Sequence, residues 1–214
     1  MTHFRLPALL LALVLSLSAC GSDGDDDVAT DPGGSGPEAP TVVPAAPGEV
    51  RSRNLAVVMD EDAGDDLVEL CLGPVAESYP PQCGGPAITN WDWQSVDGMF
   101  EQQGDVRWGT FAVTGTWDGT AFTLVEAIPA ALYDPMFEEP PVHPEPSADL
   151  SDGELQEIAD EVGALPGAQG AYADPATGHV FVDVTYDDGS YQDYVDAAYG
   201  DDVVIVTGAL VDLG

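Results

Sequence analysis

The sequence predicts an α+β protein in which an all-β region is followed by a smaller two-layer region of the order α-β-β-α-β. Three observations lead to this prediction. Short apolar runs recur between turn residues before Tyr133, helical spacing of apolar residues begins after Ser147, and a proline-rich stretch separates the two patterns. With 214 residues, 44% of them apolar, the chain is long enough to bury a core.

Residues 1–19 have the layout of an export signal. Arg5 precedes an apolar run from Leu6 to Leu17, which is too short to span a membrane but suits a signal-peptide core. The tetrapeptide Leu17-Ser18-Ala19-Cys20 then resembles the lipobox of bacterial lipoproteins. This resemblance covers about the first twenty residues. It implies that cleavage precedes Cys20 and that lipid on its thiol anchors the protein to the membrane, facing the extracellular or periplasmic side. An ordinary secretory signal is the alternative.

Residues 20–50 are predicted to be the lipidated cysteine and a tether. From Gly21 to about Gly48 the chain is rich in Asp, Gly, Pro and Ala and has too few large apolar residues to fold. Treated as a flexible coil, this stretch has a mean reach of roughly 30 Å. The folded part could therefore stand clear of the lipid headgroups.

The β-rich region is assigned to residues 51–133, as a small barrel resembling the OB type or as a β-sandwich. Its first predicted strands are Asn54–Met59 and Leu67–Leu72. The acidic stretch between them fails the EF-hand spacing, because Gly64 comes one place early and Cys71 stands where a glutamate is required. We therefore expect a loop there, with a calcium site as the alternative, and we expect no metal elsewhere.

The remaining cysteines predict a disulfide. With Cys20 assigned to lipid, Cys71 and Cys83 are left as a pair in a protein exported to an oxidising compartment. In the chain-entropy model a bridge across so short a loop stabilises by roughly 3 kcal/mol. A metal pair or a reactive thiol is the alternative, but no histidine or further cysteine lies nearby in the sequence.

The strongest hairpin signal lies between Arg107 and Glu126. Asp118-Gly119 has the composition of a two-residue turn, which would place Gly115 opposite Phe122 and Val113 opposite Leu124. Phe122 would then cover the bare backbone of Gly115. The predicted core face of this hairpin consists of Phe111, Val113, Trp117, Phe122 and Leu124.

Trp91 and Trp93 are the candidate binding residues. They would point the same way in an extended segment, and the sequence around them is unusually rich in tryptophan. An aromatic surface for a sugar or a peptide is one interpretation. The other is that these side chains fill the core of a small β region.

Residues 134–147 are predicted to be a linker. Five prolines between Pro135 and Pro146 remove backbone donors and favour an extended connection, so we expect the two regions to fold separately. His143 is interpreted as an exposed linker residue.

The α+β region is assigned to residues 148–214. A capping box of Ser151 and Glu154 begins the first helix, and Gly163 ends it. Two strands, 169–173 and 179–186, follow, and Ser190 is predicted to cap a second helix that ends at Gly200 before a last strand at 203–206. The inward residues of the second helix are predicted to be Tyr191, Tyr194, Val195 and Ala198. The order is similar to a ferredoxin-like unit that lacks its first strand, and it implies no activity.

The charge of the chain and its lack of catalytic motifs exclude several classes of function. Against 39 acidic residues stand four basic ones, all arginine, for a net charge of −35. Binding to nucleic acid or to lipid through a basic surface is therefore excluded. No nucleophile elbow and no catalytic zinc motif follows Cys20. We expect a non-catalytic, membrane-anchored lipoprotein that uses no cofactor. It would either bind an envelope protein, a peptide or a glycan, or have a structural role in the envelope. A carboxylate-based enzyme and a protease-inhibitor-like protein are the alternatives.

Overall fold

The computed structural model describes residues 37–62, 67–135 and 140–213. The expected signal peptide, Cys20 and most of the expected tether therefore lie outside the described residues, as do 63–66 of the acidic loop and 136–139 of the linker. The described residues belong to one compact unit. The protein is mostly β, with a curled antiparallel half-barrel sheet and about 17% helix, in agreement with the predicted α+β class.

The described residues form ten strands and two α-helices, together with short 3-10 helices at Trp93–Val96 and Ala130–Leu132. The strands are β1 (Glu49–Ser52), β2 (Ala56–Asp60), β3 (Val68–Cys71), β4 (Glu101–Gln103), β5 (Val106–Trp117), β6 (Phe122–Pro129), β7 (Ala168–Asp174), β8 (His179–Val184), β9 (Val204–Gly208) and β10 (Leu210–Asp212). The helices are α1 (Asp152–Val162) and α2 (Ser190–Tyr199).

The larger sheet is organised around β5, which is twelve residues long. One edge of β5 pairs with β1 and β2, and the opposite edge pairs with β4 and β6. The sheet continues outward to β10 beyond β1 and to β3 beyond β2. Alternate residues of these strands, including Val58, Leu70, Phe111 and Val113, are buried in its concave core.

The β5–β6 hairpin has the predicted core face but another register. Trp117 pairs with Phe122 and Gly115 with Leu124, so the predicted two-residue turn is wrong. The loop instead holds four residues, because the Asp118 carboxylate accepts the backbone N–H groups of Thr120 and Ala121 at 2.8 and 2.7 Å. Next to the loop the register is shifted by two residues, which leaves each side chain on its original face. A β-bulge between Thr114 and Gly115 then pairs Val113 with Ala127 instead of Leu124. The residues Phe111, Val113, Trp117 and Phe122 are still buried, and Leu124 still packs on this core.

Helix α1 begins as predicted. The Ser151 hydroxyl accepts from the Glu154 N–H, the Glu154 carboxylate accepts from the Ser151 N–H, and Gly163 is the C-cap. Helices α1 and α2 contact the three-stranded sheet β7-β8-β9, in which β7 and β8 are antiparallel and β8 and β9 are parallel. Their shared core includes Leu155, Val182 and Val195.

Two details of α2 differ from the prediction. Gly189, with φ +100°, is the N-cap in place of Ser190, and the Asp187 carboxylate accepts the Gly189 and Tyr191 N–H groups. Ala198 is exposed instead of inward. The reason is geometric, because the buried stripe of α2 runs through Tyr191 and Val195 with half-buried Tyr194 and Tyr199 beside it.

The last residues of the chain join the larger sheet. The antiparallel pairing of β10 with β1 sets Val50 opposite Asp212, and Leu210 is buried among the residues of the larger sheet. Tyr186, which follows β8, is buried in the same core and donates a hydrogen bond to Asp212 Oδ1 at 3.0 Å. Residues from the predicted C-terminal region thus complete the core of the β-rich one.

Residues 42–48 also lie against the fold, and we call them the entry segment. The Pro44 carbonyl accepts the indole N–H of Trp117 at 2.9 Å, and the Val42 carbonyl accepts the hydroxyl of Tyr191 at 3.3 Å. Composition alone groups these residues with the tether. Their backbone nevertheless contacts both the β5–β6 hairpin and α2.

Candidate ligand-binding recess

A short segment, residues 86–90, which has bridge pairs at Ala87 and Ile88 and a turn at its end, places the candidate tryptophans. The N–H of Leu70 in β3 donates to the Pro86 carbonyl, and the N–H of Phe122 in β6 donates to the Ala87 carbonyl, each at 2.9 Å. The Asn90 side chain fixes the end of the segment, because it donates to and accepts from the backbone of Leu124 in β6. This segment therefore links β3 to β6 across the open side of the curled sheet.

Trp91 and Trp93 follow directly, separated by Asp92, whose backbone is extended, and a 3-10 helix begins at Trp93. Asp92 caps the 3-10 helix that begins at Trp93, through a hydrogen bond from the Gln94 N–H to Asp92 Oδ1 at 2.9 Å. The two indole rings meet edge to face, with centroids 5.3 Å apart and planes at 73°. The two rings therefore form an aromatic corner.

Both rings also pack on the core of the larger sheet. The centroid of Trp91 lies 5.0 Å from that of Phe111, and the centroid of Trp93 lies 4.9 Å from that of Phe100. Trp93 is buried and Trp91 is half-buried. The aromatic core of the larger sheet therefore extends to both rings.

A charged pair lies beside Trp93. Asp60 ends β2 directly opposite Arg107 of β5, and Arg107 Nε lies 3.6 Å from Asp60 Oδ2. The same carboxylate oxygen accepts the indole N–H of Trp93 at 3.2 Å, and the guanidinium carbon lies 5.9 Å from the centroid of the Trp93 ring. Asp60 is 4% exposed. A carboxylate this deeply buried needs such partners.

These groups surround a recess of about 460 Å³ that opens to solvent. Its volume lies within the range of about 300 to 1,000 Å³ that is typical of sites for small molecules. The recess is lined by Asp60, Val68, Ile88, Thr89, Trp91, Asp92, Trp93, Gln94 and Arg107.

Asp60 and Trp91, which line the recess, contribute buried polar atoms that have no hydrogen-bond partner among the described residues. They are the acceptor Asp60 Oδ1 and the donor Trp91 Nε1. A buried polar group left unpaired costs about 1–3 kcal/mol. Two residues that line the recess therefore hold an unused acceptor and an unused donor, both covered by neighbouring protein atoms.

Sequence reasoning selected Trp91 and Trp93 but missed Asp60 and Arg107. The missed signal is the alternation of the strands. Asp60 lies on the same face of β2 as the buried Ala56 and Val58, and Arg107 lies on the same face of β5 as Phe111. A charge on a core-facing position at the end of a strand marks the recess.

The other predicted residues lie away from it. Cys71 and Cys83 form the predicted disulfide, with Cα atoms 5.8 Å apart. His143 is half-buried and contacts the rings of His179 and Phe181, so this part of the linker lies on β8.

Within residues 37–62, 67–135 and 140–213 no cluster of three or more His, Cys, Asp or Glu side chains could hold a metal ion. In the same ranges no helix is both long enough and apolar enough to span a membrane.

The chain was also compared with known proteins. No family model, no curated protein and no solved structure matched it. The recess must therefore be interpreted from its own chemistry.

Proposed function

We propose that this chain is an exported, lipid-anchored binding protein that holds a small polar ligand in the recess at Trp91 and Trp93. The observation that carries the proposal is that two residues of one open recess, Asp60 and Trp91, each have a buried polar atom with no hydrogen-bond partner among the described residues. Protein cores rarely leave buried polar atoms unpaired, whereas binding sites use such atoms to orient a ligand.

Binding is better supported than the carboxylate-based enzyme. Such an enzyme needs carboxyl groups that are free to exchange protons with a substrate. Of the carboxylates in the lining, Asp60 is engaged by Arg107 and Trp93, and Asp92 caps the 3-10 helix. Both carboxylates therefore have structural roles.

The anchor rests on the lipobox resemblance of Leu17 to Cys20. We expect Cys20→Ser to abolish incorporation of radioactive fatty acid and to release the protein from membranes. The double variant Cys71→Ser/Cys83→Ser is the control, because it removes the other two cysteines but keeps the motif, and it should be labelled normally. Normal labelling of Cys20→Ser would refute the anchor.

The binding site is tested with the exported protein purified in mild detergent. Three panels of probes are added, namely neutral sugars, free amino acids and dipeptides. A ligand of the native state raises the melting temperature by mass action, and one that enters the recess changes tryptophan fluorescence. We expect one panel to do both, and the Trp91→Phe variant to lose the effect. If all three panels leave both signals unchanged, the recess is not a site for a small polar ligand.

A further inference from the structure

The local charge of the recess indicates what kind of ligand it takes. The guanidinium of Arg107 already faces the carboxylate of Asp60, so the buried charges largely cancel. The remaining carboxylate, Asp92, is exposed and hence screened by water and salt. An ionised ligand would lose hydration without finding a free buried counter-charge. Anions are disfavoured further by the net charge of −35.

The two unpaired atoms indicate the chemical class of the ligand. Asp60 Oδ1 accepts hydrogen bonds and Trp91 Nε1 donates them. A hydroxyl group does both, whereas an ammonium group only donates and a carboxylate only accepts. A molecule with several adjacent hydroxyl groups can therefore satisfy both atoms without carrying charge.

The aromatic corner adds a third requirement. An indole ring presents a negative face and prefers weakly positive C–H groups against it. The rings of Trp91 and Trp93 stand at 73° to each other, and half-buried Trp91 is the more accessible of the two, since Trp93 is buried. Pyranose rings combine C–H faces with hydroxyl edges, and a recess of about 460 Å³ can hold one or two of them.

We propose that the recess binds a neutral saccharide, with Asp60 Oδ1 accepting from a sugar hydroxyl, Trp91 Nε1 donating to a sugar oxygen, and an indole face covering the C–H side of the ring. This inference rests on the proposed function and names its ligand class. Both polar atoms are covered by protein, since each exposes less than 1 Å². The half-buried Trp91 side chain must therefore shift when the sugar enters, and its fluorescence reports that step.

The test compares neutral sugars with charged analogues of the same ring. The neutral probes are glucose, galactose, mannose, N-acetylglucosamine and cellobiose, and the matched charged probes are glucuronate and glucosamine. We expect at least one neutral sugar to change tryptophan fluorescence saturably and its charged counterparts to bind more weakly. Trp91→Phe, which keeps a ring but removes the N–H, should weaken binding about tenfold, as the loss of one hydrogen bond would.

Two further variants separate the outcomes. Asp60→Asn should also weaken binding, and if it fails to fold, Trp91→Phe still decides. Trp108→Phe removes an indole that lies outside the lining and should bind like the wild type. Unchanged affinity of Trp91→Phe would overturn the assignment. Binding of amino acids or dipeptides without any neutral sugar would overturn the saccharide inference but leave the proposed function intact, whereas no binding at all would overturn both.

Discussion

At Gly115 the ring of Phe122 lies over the bare backbone of β5. A Cβ atom built at this position would lie 2.2 Å from the Thr123 carbonyl oxygen and 2.6 Å from Phe122 Cζ. Because the obstructing oxygen belongs to the backbone of β6, it cannot swing away. We expect Gly115→Ala to lower the free energy of unfolding by about 1–3 kcal/mol, as overpacked core substitutions do. Urea denaturation followed by tryptophan fluorescence measures the loss.

Gly84→Ala is the matched control for this substitution. A Cβ at Gly84 has no atom within 4 Å. Its stability should stay within about 0.5 kcal/mol of the wild type, as for most surface substitutions. Equal losses at Gly84 and Gly115 would mean that the contact with Phe122 is not the cause.

Two buried tyrosines predict the response to alkali. Burial, together with a hydrogen bond to Asp212, raises the pKa of Tyr186 to about 12, and burial together with the nearby carboxylates of Asp187 and Asp188 raises the pKa of Tyr191 to about 12. Both pKa values exceed the ordinary value of about 10. The contribution of these two tyrosines to the free energy of unfolding is fully present below about pH 10 and is lost as the pH rises through about 12. Since the chain has no lysine, tyrosine dominates titration in this range.

The measurement is the free energy of unfolding against pH, with tyrosinate absorbance recorded in parallel. We expect Tyr186→Phe to show a smaller decline than the wild type between about pH 10 and about pH 12, because one of the shifted groups is gone. The wild-type absorbance should rise together with unfolding. If both proteins decline equally, the protonation of Tyr186 does not contribute.

At the level of single elements, the start of α2 depends on Asp187 more than on Ser190. Asp187 Oδ1 accepts the N–H groups of Gly189 and Tyr191 at 2.9 and 3.0 Å. Loss of such a cap costs about 1 kcal/mol. We expect Asp187→Ala to destabilise by about that amount and Ser190→Ala by less, measured by thermal unfolding followed with circular dichroism. The reverse order would restore Ser190 as the cap.

The hairpin shows what a local pattern can predict and where it stops. Alternation along β5 predicted the buried face, because that face depends only on the two-residue period of a strand. The register depends on the loop, and the loop depends on which backbone N–H groups the Asp118 carboxylate accepts. Asp-Gly is compatible with either arrangement. The capping box at Ser151 was predictable because both of its hydrogen bonds lie within four residues.

The pairing of β10 with β1 was beyond such reasoning. These strands lie at opposite ends of the described chain, and nothing in a three-residue strand specifies so distant a partner. For a similar reason, only some residues of the recess could be predicted from the sequence. Trp91 and Trp93 are neighbours in the sequence, but Asp60 and Arg107 meet only because β2 pairs with β5. Composition predicts the class of fold, and long-range pairing builds the site.

At the scale of the whole molecule, Leu210 tests whether the two regions unfold together. It is 1% exposed in the core of the larger sheet, whereas nearby Leu213 is 42% exposed. We expect Leu210→Ala to cost about 2–4 kcal/mol, within the range for buried leucines, and Leu213→Ala to cost much less. All four tryptophans lie in residues 51–133 and both α-helices lie in 148–214. Fluorescence and circular dichroism therefore follow the two regions separately.

Coincident transitions by the two signals, both shifted by Leu210→Ala, would mean that the shared core joins the regions into one cooperative unit. Separate transitions, with only the fluorescence shifted, would support the independent folding that the proline-rich linker predicts. The separation of the regions stays a prediction until this measurement is made.

The position of β1 between β5 and β10 also makes resistance to force depend on direction. In one geometry, force is applied between Glu49 and the turn at Gly104 and Asp105, which lies beyond the opposite end of β5. This force acts along β1 and loads all the hydrogen bonds between β1 and β5 in shear at the same time. A pull between Glu49 and Asp212 acts on the same end of the β1–β10 pair and opens it one bond at a time. Optical tweezers attached at these points should record a higher unfolding force in the first geometry. A protein held to a membrane through the entry segment would thus resist a load on its body better than a load on its last strand.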